Sequence, residues 1–558
     1  MIQSKQLSLN ALCIITSVVV LLFASCTSDA NFAEGYLPDS QEIDIQQSEF
    51  QWSNSLGEDI FSVRLYQTDR TKMSNVGRVS IGAERDTLFG DRLSGFYSQY
   101  TPLSNLDEDG FGLDVMLDSV MIYFNLYEYH GDIETSYTYE VREVINDDFI
   151  RNSADTVFSV MSVDSLIEIG VLGDVLFEFD YPNENHPIDY DTDSISMDII
   201  TDAGYDLLNG LMLKERSSGL QIDYNIYDSD NHDIFVDNFK GLTIMPKAFS
   251  DEEMPSGATY GIVLEMSGWG FYGRCKMEDD PTLISDTVSM TYVFRDASLY
   301  SESTNDDYLN APGGVSINLI ERDLTTAMYD ISTVGSENGV AEATIDTLYV
   351  EGMGGVVSQI TLEKALFEEL DRVMATRNAE LDEDFDNIFI NAARLRLYIT
   401  GMSDYQSVIN GVYAPLDVYS AYSSMPARLG LYSNFGTLTD DSGDTELVAV
   451  SDYNYLYEVN YSIYTDYDGS LNRSLGCYEM NIPLHLQGLW AQWRAAVEAA
   501  GSADAVDWST ITWNKLYVAP LAEDLFTVHR LILQGAPLSD ESAGAPIRLM
   551  MTYTLIKS

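Results

Sequence analysis

The sequence predicts a mainly β protein built from two related jelly-roll-like β-sandwich domains with a few short helices. Runs rich in Val, Ile, Tyr and Thr, often alternating with polar residues, recur between Gly, Asn and Asp turn signals. Segments with the apolar spacing of a helix are few. Short similarities between the two halves occur in the same order in each, as expected of an internal repeat.

The clearest predicted strands have apolar side chains at every second position, so that one face of each is suited to burial. In the last of them Ile547, Leu549, Met551, Tyr553 and Leu555 share one face. The clearest strands cover residues 118–127, 136–141, 261–266, 391–399 and 547–556. Helices are predicted over residues 362–377, 487–500 and 205–216, which combine helical spacing with good helix formers.

The internal similarities set the domain boundaries. Three segments of the first half resemble segments of the second, namely Phe96-Tyr-Ser-Gln and Val357-Ser-Gln, Leu242-Thr-Ile-Met-Pro and Leu516-Tyr-Val-Ala-Pro, and Met290-Thr-Tyr-Val-Phe and Met551-Thr-Tyr-Thr-Leu. We therefore predict β-sandwich domains over residues 56–310 and 311–558, joined across a polar stretch. The alternative is one long β-rich chain in which the short matches are coincidental.

The composition argues against two classes of protein. The 558 residues include 29 Lys and Arg against 89 Asp and Glu, a formal net charge of −60, yet 45% of them are hydrophobic. A chain this apolar can bury a large core, which acidic disordered proteins cannot do. Nucleic acid is not expected as a partner, because its phosphates require a basic surface.

The N-terminus resembles that of a bacterial lipoprotein. Residues 1–25 carry one charged side chain and an apolar run that is short for a membrane span and typical of a signal peptide. Phe23-Ala-Ser-Cys26 resembles a lipobox, with Phe23 in place of the usual Leu, and predicts cleavage before Cys26 and lipid on its sulfur. An ordinary signal peptide or an uncleaved anchor is the alternative. Residues 26–55 are polar and are predicted to form a tether to the outer membrane, on its periplasmic or cell-surface face.

The remaining cysteines do not predict a metal site. Cys13 leaves with the signal peptide, so Cys275 and Cys477 are the thiols of the mature body. No Cys-x-x-Cys spacing occurs in the sequence. The sequence allows either one disulfide between these two cysteines or two buried free thiols.

One long segment, Ser80 to Pro102, resembles the opening signature of an uncharacterised Bacteroidota lipoprotein family known only as a domain of unknown function. Five later landmarks follow in the family order, beginning at Leu117, Gly131, Phe239, Tyr349 and Asn391. The resemblance covers about residues 55 to 558, with one small departure at residues 84–87, where the family tends to Asp-Pro. It implies a lipid-anchored envelope protein and carries no activity, substrate or catalytic residues.

Calcium is the one cofactor that the acidic residues suggest. Asp189, Asp191 and Asp193 alternate as at the start of a calcium loop. Ser194 stands where the sharp-turn Gly of an EF-hand belongs, and Ile200 replaces its closing Glu. The alternative is a solvated turn in which Asp is favoured for its backbone geometry.

A row of tyrosines suggests a glycan. Tyr453, Tyr455 and Tyr457 share one face of a predicted strand, where exposed rings could stack on sugars. The alternative is a row of cross-strand partners that pack the sandwich.

Gly268-Trp-Gly-Phe-Tyr-Gly273 matches a dinucleotide-binding spacing, but no helical pattern follows it. We therefore interpret this segment as a turn between strands.

These observations predict a non-catalytic, lipid-anchored protein with a binding or structural role in the envelope, where its partner is a protein or a glycan. One alternative is the glycan-binding module of a polysaccharide uptake system, which predicts an exposed aromatic or concave patch. A subunit of an envelope complex predicts a large apolar surface patch. An extracytoplasmic hydrolase predicts paired carboxylates in a deep cleft, and no motif supports it.

Overall fold

A computed structural model describes residues 44–557, apart from residues 68–76, 87, 107–109, 147–169, 184–192, 214–223, 248–256, 277–281, 283, 295–314, 330–333, 337–345, 401–424, 440–444, 454–466, 474, 522–525 and 538–545. The protein is mainly β with only a few short helices, which confirms the predicted fold class, and its sheets include a curled half-barrel.

The strands and helices are numbered in chain order. Up to residue 323 the described elements are β1 (Asp44–Phe50), β2 (Phe61–Gln67), β3 (Arg78–Glu84), β4 (Asp91–Ser98), β5 (Thr101–Pro102), β6 (Leu113–Gly131), β7 (Tyr137–Val144), β8 (Leu172–Tyr181), β9 (Asp193–Ser196), β10 (Ile199–Ile200), α1 (Asp202–Leu211), α2 (His232–Asn238), β11 (Leu242–Pro246), β12 (Ala258–Lys276), β13 (Ile284–Val293) and β14 (Ser316–Asp323).

The elements that follow are β15 (Gly335–Ser336), β16 (Thr347–Glu351), β17 (Val356–Leu362), α3 (Lys364–Leu381), β18 (Asn387–Tyr398), β19 (Leu429–Thr439), β20 (Thr445–Ala449), β21 (Asp468–Asn472), β22 (Cys477–Asn481), α4 (Pro483–Ala500), β23 (Lys515–Pro520), β24 (Arg530–Gln534) and β25 (Arg548–Ile556).

The first half is organised by one sheet made of β3 to β14. The long strands β6 and β12 pair with each other, and the other edge of β12 pairs first with β3 and then with β13. Aromatic side chains fill the core of this half, where the rings of Trp269 and Tyr292 stack with their centroids 4.6 Å apart. Helix α2 closes the core by packing Phe235 against Tyr292.

The second half has two main sheets around one core. Five strands pair in the order β1-β25-β18-β22-β21, and six pair in the order β15-β2-β17-β23-β19-β20. Helices α3 and α4 pack into the same core through Leu366, Phe367, Trp490 and Trp493, all of which are buried. A two-stranded sheet, β16 with β24, completes this half.

The two halves exchange strands, which the predicted boundaries did not anticipate. β1 and β2 precede the first half in sequence, yet they pair with β25 and β17 of the second half. β14 lies beyond residue 310, yet it pairs along β4 of the first half. The predicted tether 26–55 is therefore wrong for residues 44–50. Their polar composition is that of an edge strand, paired on one side only and partly exposed.

Most of the individually predicted elements are present. The five predicted strands fall in β6, β7, β12, β18 and β25, and the three predicted helices correspond to α1, α3 and α4. In β25 the four residues Leu549, Met551, Tyr553 and Leu555 are buried and alternate with less buried neighbours, as the period-two pattern predicts. The first two sequence similarities also occupy equivalent places, because β4 lies beside β11 and β17 lies beside β23.

The Gly268–Gly273 segment is not a turn. It lies inside β12, between β6 and β13. A Cβ atom on Gly268 or Gly270 would stand 2.2 Å and 2.5 Å from carbonyl oxygens of β13, so these glycines permit a close approach of two backbones. Cys275, at the end of the same strand, and Cys477 are free, buried thiols.

Five charged side chains meet between the halves, and we call them the junction cluster. Glu84, Arg92 and Arg322 come from the first sheet, whereas Glu351 and Arg530 come from β16 and β24. None of these side chains is more than 4% exposed. Arg530 donates to Glu84 at 2.8 Å, while Arg92 lies 3.3 Å from Glu84 and 3.4 Å from Glu351. Each half therefore supplies charged side chains that neutralise buried charges of the other half.

Two further groups complete the surroundings of Glu84. Asp86 accepts a hydrogen bond from Arg530 at 2.6 Å, and His130 Nδ1 lies 2.6 Å from Glu84. Burial raises the pKa of Glu84, but Arg530, His130 and Arg92 lower it more, to about 2. The ordinary pKa is 4.5, so this carboxylate stabilises the fold above that pH, and the contribution is lost as the pH falls through about 2.

Replacing Arg530 with Met should lower the free energy of unfolding by about 3–5 kcal/mol, because buried carboxylates lose their cation. Arg548→Met is the matched control. Arg548 pairs with Glu49 in a much more exposed position, where such a pair contributes about 0–1 kcal/mol. Urea unfolding followed by tryptophan fluorescence measures both variants. Equal losses would contradict a structural role for the junction cluster.

Candidate functional site

Most site residues predicted from the sequence lie outside the described part of the chain, namely Cys26, Asp189, Asp191, Tyr455 and Tyr457. Asp193 is the first residue of β9, where its backbone pairs with Phe124. Among the described residues, no group of three or more His, Cys, Asp or Glu is placed to hold a metal ion. Calcium binding and lipidation therefore remain predictions.

Tyr453 does not line an exposed strand face. It lies in a helical segment, residues 451–453, and is buried in the core of the second half. Its ring centroid is 5.6 Å from that of Tyr467 in an edge-to-face arrangement. For Tyr453 the packing alternative is the one that fits, because a buried ring cannot stack on a sugar.

A groove of about 650 Å³ lies over one face of the six-stranded sheet, and we call it the Trp513 groove. Its floor comes from β2, β17, β19 and β23, and its wall comes from the segment 508–514. Its lining includes Arg64, Gln359, Glu363, Trp508, Trp513 and Lys515.

Strand periodicity explains why this sheet face is polar. In β2, Phe61, Val63 and Leu65 are buried, so the intervening Ser62 and Arg64 point to the opposite face. The strand register extends this face into two rows. Arg64, Gln359 and Tyr517 lie opposite one another in one row, and Ser62, Thr361 and Lys515 form the next.

The wall of the groove presents two tryptophans. The ring of Trp508 lies 5.3 Å from that of Phe367 and 6.1 Å from that of Trp493, so the core holds it in place. Trp513 is 42% exposed, and its φ is 69°. A bulky residue in this left-handed region is costly, and such costs are concentrated at ligand sites. The backbone thus holds a large apolar ring out at the edge of a polar groove.

His485 holds the Trp513 backbone through a hydrogen bond to its carbonyl oxygen. Its Nε2 lies 2.9 Å from the Trp513 carbonyl oxygen, and its side chain is buried. Burial lowers the pKa of His485 to about 4, although the hydrogen bond to Trp513 opposes this shift. The ring is therefore neutral near neutral pH, and Nε2–H donates to the carbonyl. Gln492 holds the preceding residue by accepting from the Thr512 N–H at 3.0 Å.

Two buried donors in the groove have no acceptor among the described residues: Gln359 Nε2 and Trp508 Nε1. Gln359 is 1% exposed, and its Oε1 is 3.5 Å from the Tyr66 hydroxyl, a long contact. Buried polar groups are normally paired, and each unpaired group in a native structure calls for an explanation. A ligand that accepts hydrogen bonds would provide one.

The carboxylate in the described lining is Glu363, which accepts a hydrogen bond from Ser62 at 2.5 Å. The hydrolase alternative predicts two carboxylates facing one another across a cleft. The described lining residues contain one. The arrangement can stack a ring and donate hydrogen bonds.

Sequence reasoning missed this groove. Gln359 and Lys515 read as ordinary strand residues, because a register pairing them with β2 is not visible locally. The segment Asp507-Trp-Ser-Thr-Ile-Thr-Trp-Asn514 did carry a signal, since two tryptophans occur there among turn-forming polar residues. Tryptophan in a loop that does not resemble a strand or helix is a usable sign of a binding surface.

A comparison of the chain with models of known protein families finds no match, and a comparison with curated proteins finds no relative. The resemblance to a Bacteroidota lipoprotein family thus remains a prediction from the residues that carry it. Within the described residues, no helix is both long and apolar enough to cross a membrane.

Replacing His485 with Gln should make the protein less sensitive to acid. In the wild type, unfolding exposes a His of ordinary pKa 6.5, which then binds a proton that the folded state with a pKa of about 4 rejects. Between about pH 7 and pH 5 this difference should cost the wild type about 2 kcal/mol of unfolding free energy.

Urea unfolding of both proteins at the two pH values measures the effect. The Gln side chain still donates a hydrogen bond but does not titrate. Asp452, whose carboxylate accepts from the backbone N–H groups of Leu484 and His485, titrates in both proteins and cancels from the difference. An identical pH dependence in the two proteins would contradict the assigned neutral state of His485.

Proposed function

We propose that the chain is a non-catalytic, lipid-anchored protein of the outer membrane or cell surface that binds a glycan in the Trp513 groove. The observation that carries the glycan part is the combination of an exposed Trp513 ring with buried amide and indole donors in one groove. The anchor part is supported by the lipobox-like sequence that ends at Cys26.

The chemistry of the groove suits a sugar. A pyranose ring has an apolar face of C–H groups, which pack on an indole, and an edge of hydroxyl groups, which need hydrogen-bond partners. Trp513 offers the first kind of contact, and Gln359 and Trp508 offer the second. Small-molecule sites in general combine aromatic walls with a few placed polar groups.

A structural subunit of an envelope complex remains the second candidate. It rests on the resemblance to an envelope lipoprotein family. It differs from the first candidate in predicting a protein partner at fixed stoichiometry, which crosslinking and co-purification from native membranes would recover.

The Cys26→Ser variant should move from the membrane pellet to the soluble fraction and lose incorporation of a palmitate analogue. Cys13→Ser, a change within the predicted signal peptide, is the matched control and should leave both readouts unchanged. Fractionation and metabolic labelling of cells that express each variant measure this. A Cys26→Ser protein that still carries label in the pellet would rule out lipidation at this residue.

The Trp513→Ala variant should weaken glycan binding about tenfold or more, since about 1.4 kcal/mol of lost ring contact corresponds to a factor of ten. The control is Tyr205→Ala, which removes a ring that is 49% exposed on α1 in the other half. A glycan array identifies the ligand, and titration calorimetry compares the variants. Binding that is insensitive to Trp513 would place the site elsewhere, and a blank array would contradict the proposed function.

A further inference from the structure

We propose that the Trp513 groove selects acidic glycans, in which carboxylate or sulfate groups are carried on the sugar rings. This inference rests on the proposed function, because it names the class of glycan that the same groove would hold. It is carried by four nitrogen donor groups that have no acceptor among the described residues, and two of these groups are cationic.

The two cations are Arg64 and Lys515. Acidic residues outnumber basic ones by 89 to 29 in this chain, so a cation would be expected to find a carboxylate. Arg372, Arg377 and Arg396 of the second half all do so. Within the described residues, neither Arg64 nor Lys515 has an ion pair or a side-chain hydrogen bond, although both line the groove. Two cations in one groove of a highly acidic protein, neither of them paired within the part of the chain that the structure describes, favour an anionic ligand.

The strand register places these cations on either side of Gln359. Arg64 lies directly opposite Gln359, and Lys515 lies opposite Thr361 on the far side of β17. From the spacing of neighbouring strands and the rise along a strand, their Cα atoms are about 12 Å apart. Arg and Lys side chains are long enough to lean over the intervening strand, toward the unpartnered Nε2 of Gln359.

The hydrogen-bonding character of the groove distinguishes acidic from neutral sugars. Gln359 Nε2, Trp508 Nε1, Arg64 and Lys515 all donate. A neutral hydroxyl can accept from these donors, but it carries no charge to pair with the two cations. A carboxylate or sulfate only accepts, and its hydrogen bonds to cations are about twice as strong as those between neutral groups. Glu363, the carboxylate of the described lining, is already engaged by Ser62.

The net charge of the protein limits the size of the ligand. A formal charge of −60 repels a long, uniformly charged polyanion. Over the short distances within the groove, which are comparable to the physiological Debye length of about 8 Å, the two cations outnumber the one described carboxylate, Glu363. The groove therefore favours a short segment with one or a few acidic groups over an extended polyanion.

Titration calorimetry on the detergent-solubilised full-length protein at physiological salt tests the inference. The probes are oligogalacturonides as free acids and the same oligosaccharides as methyl esters, in which each carboxylate is replaced by an uncharged group one methyl larger. We expect the free acids to bind about tenfold or more tightly than the esters, the difference that about 1.4 kcal/mol produces. Sulfated and unsulfated dextran oligosaccharides form a second matched pair, which separates a preference for sulfate from one for carboxylate.

Arg64→Gln and Lys515→Gln should each remove most of the preference, so that the ratio of the affinities for the charged and neutral probes falls towards one. Lys247→Gln, which changes an exposed cation of the first half, is the control and should keep the preference. Circular dichroism and the melting temperature establish that each variant is folded. If either groove variant fails to fold, Arg64→Lys and Lys515→Arg keep the charge and should keep the preference.

The outcomes separate this inference from the proposed function. Equal binding of charged and neutral probes, lost in Trp513→Ala, would overturn the acidic preference and leave a neutral-glycan site. Binding of neither pair, in a protein whose array binding requires Trp513, would likewise overturn it. A charge preference that persists in both Arg64→Gln and Lys515→Gln would show that these cations do not create it.

Discussion

The junction cluster is the interaction on which the arrangement of the two halves depends. Arg92, Arg322 and Arg530 would be costly to bury without counter-charges, and so would Glu84 and Glu351. Because the carboxylate partners of Arg530 include Glu84 on the opposite half, separating the halves would expose buried charge on both. Apolar contacts surround the cluster, including Val528 and Met353 of the second half packed with Ile317 of β14. Charge pairing thus specifies how the halves meet, while apolar burial holds them there.

The exchange of strands connects this junction to the groove. β2 contributes Arg64 and Ser62 to the groove, yet the chain continues from β2 into β3, which ends at Glu84 of the junction cluster. β14 returns in the other direction, pairing with β4 and contributing Arg322. The floor of the groove is therefore complete only when β2, from the N-terminal segment, pairs with β17 of the second half.

Strands and helices that are set by the spacing of neighbouring residues could be predicted from the sequence, whereas pairings between residues far apart in the chain could not. The alternation in β25 and the spacing in α3 and α4 are set by the positions of neighbouring residues, so they could be recognised without partners. The pairing of β1 with β25 joins Asp44 to Leu555, and no local pattern marks that register. Gly268 and Gly270 resemble turn residues in the sequence. The atoms that require a glycine at these positions are carbonyl oxygens of the facing strand β13, which the local sequence does not reveal. The sequence also did not reveal that Tyr453 is buried, because aromatic content alone does not indicate which residues face the core.

Acid acts on His485 and on Glu84 of the junction cluster over different pH ranges. His485 loses stabilisation for the folded state as the pH falls from about 6.5 towards about 4, because the buried ring resists protonation. Glu84, held ionised by Arg530, His130 and Arg92, keeps its full contribution down to about pH 4.5 and loses it towards about pH 2. The first group supports the Trp513 backbone and the second connects the halves. Asp452, whose pKa burial raises to about 6, accepts from the backbone N–H of His485 and stabilises the folded state as the pH falls, so it opposes the effect of His485. The titrations of His485 and Glu84 differ because the His485 ring is buried as a neutral group, whereas the Glu84 carboxylate is surrounded by cations.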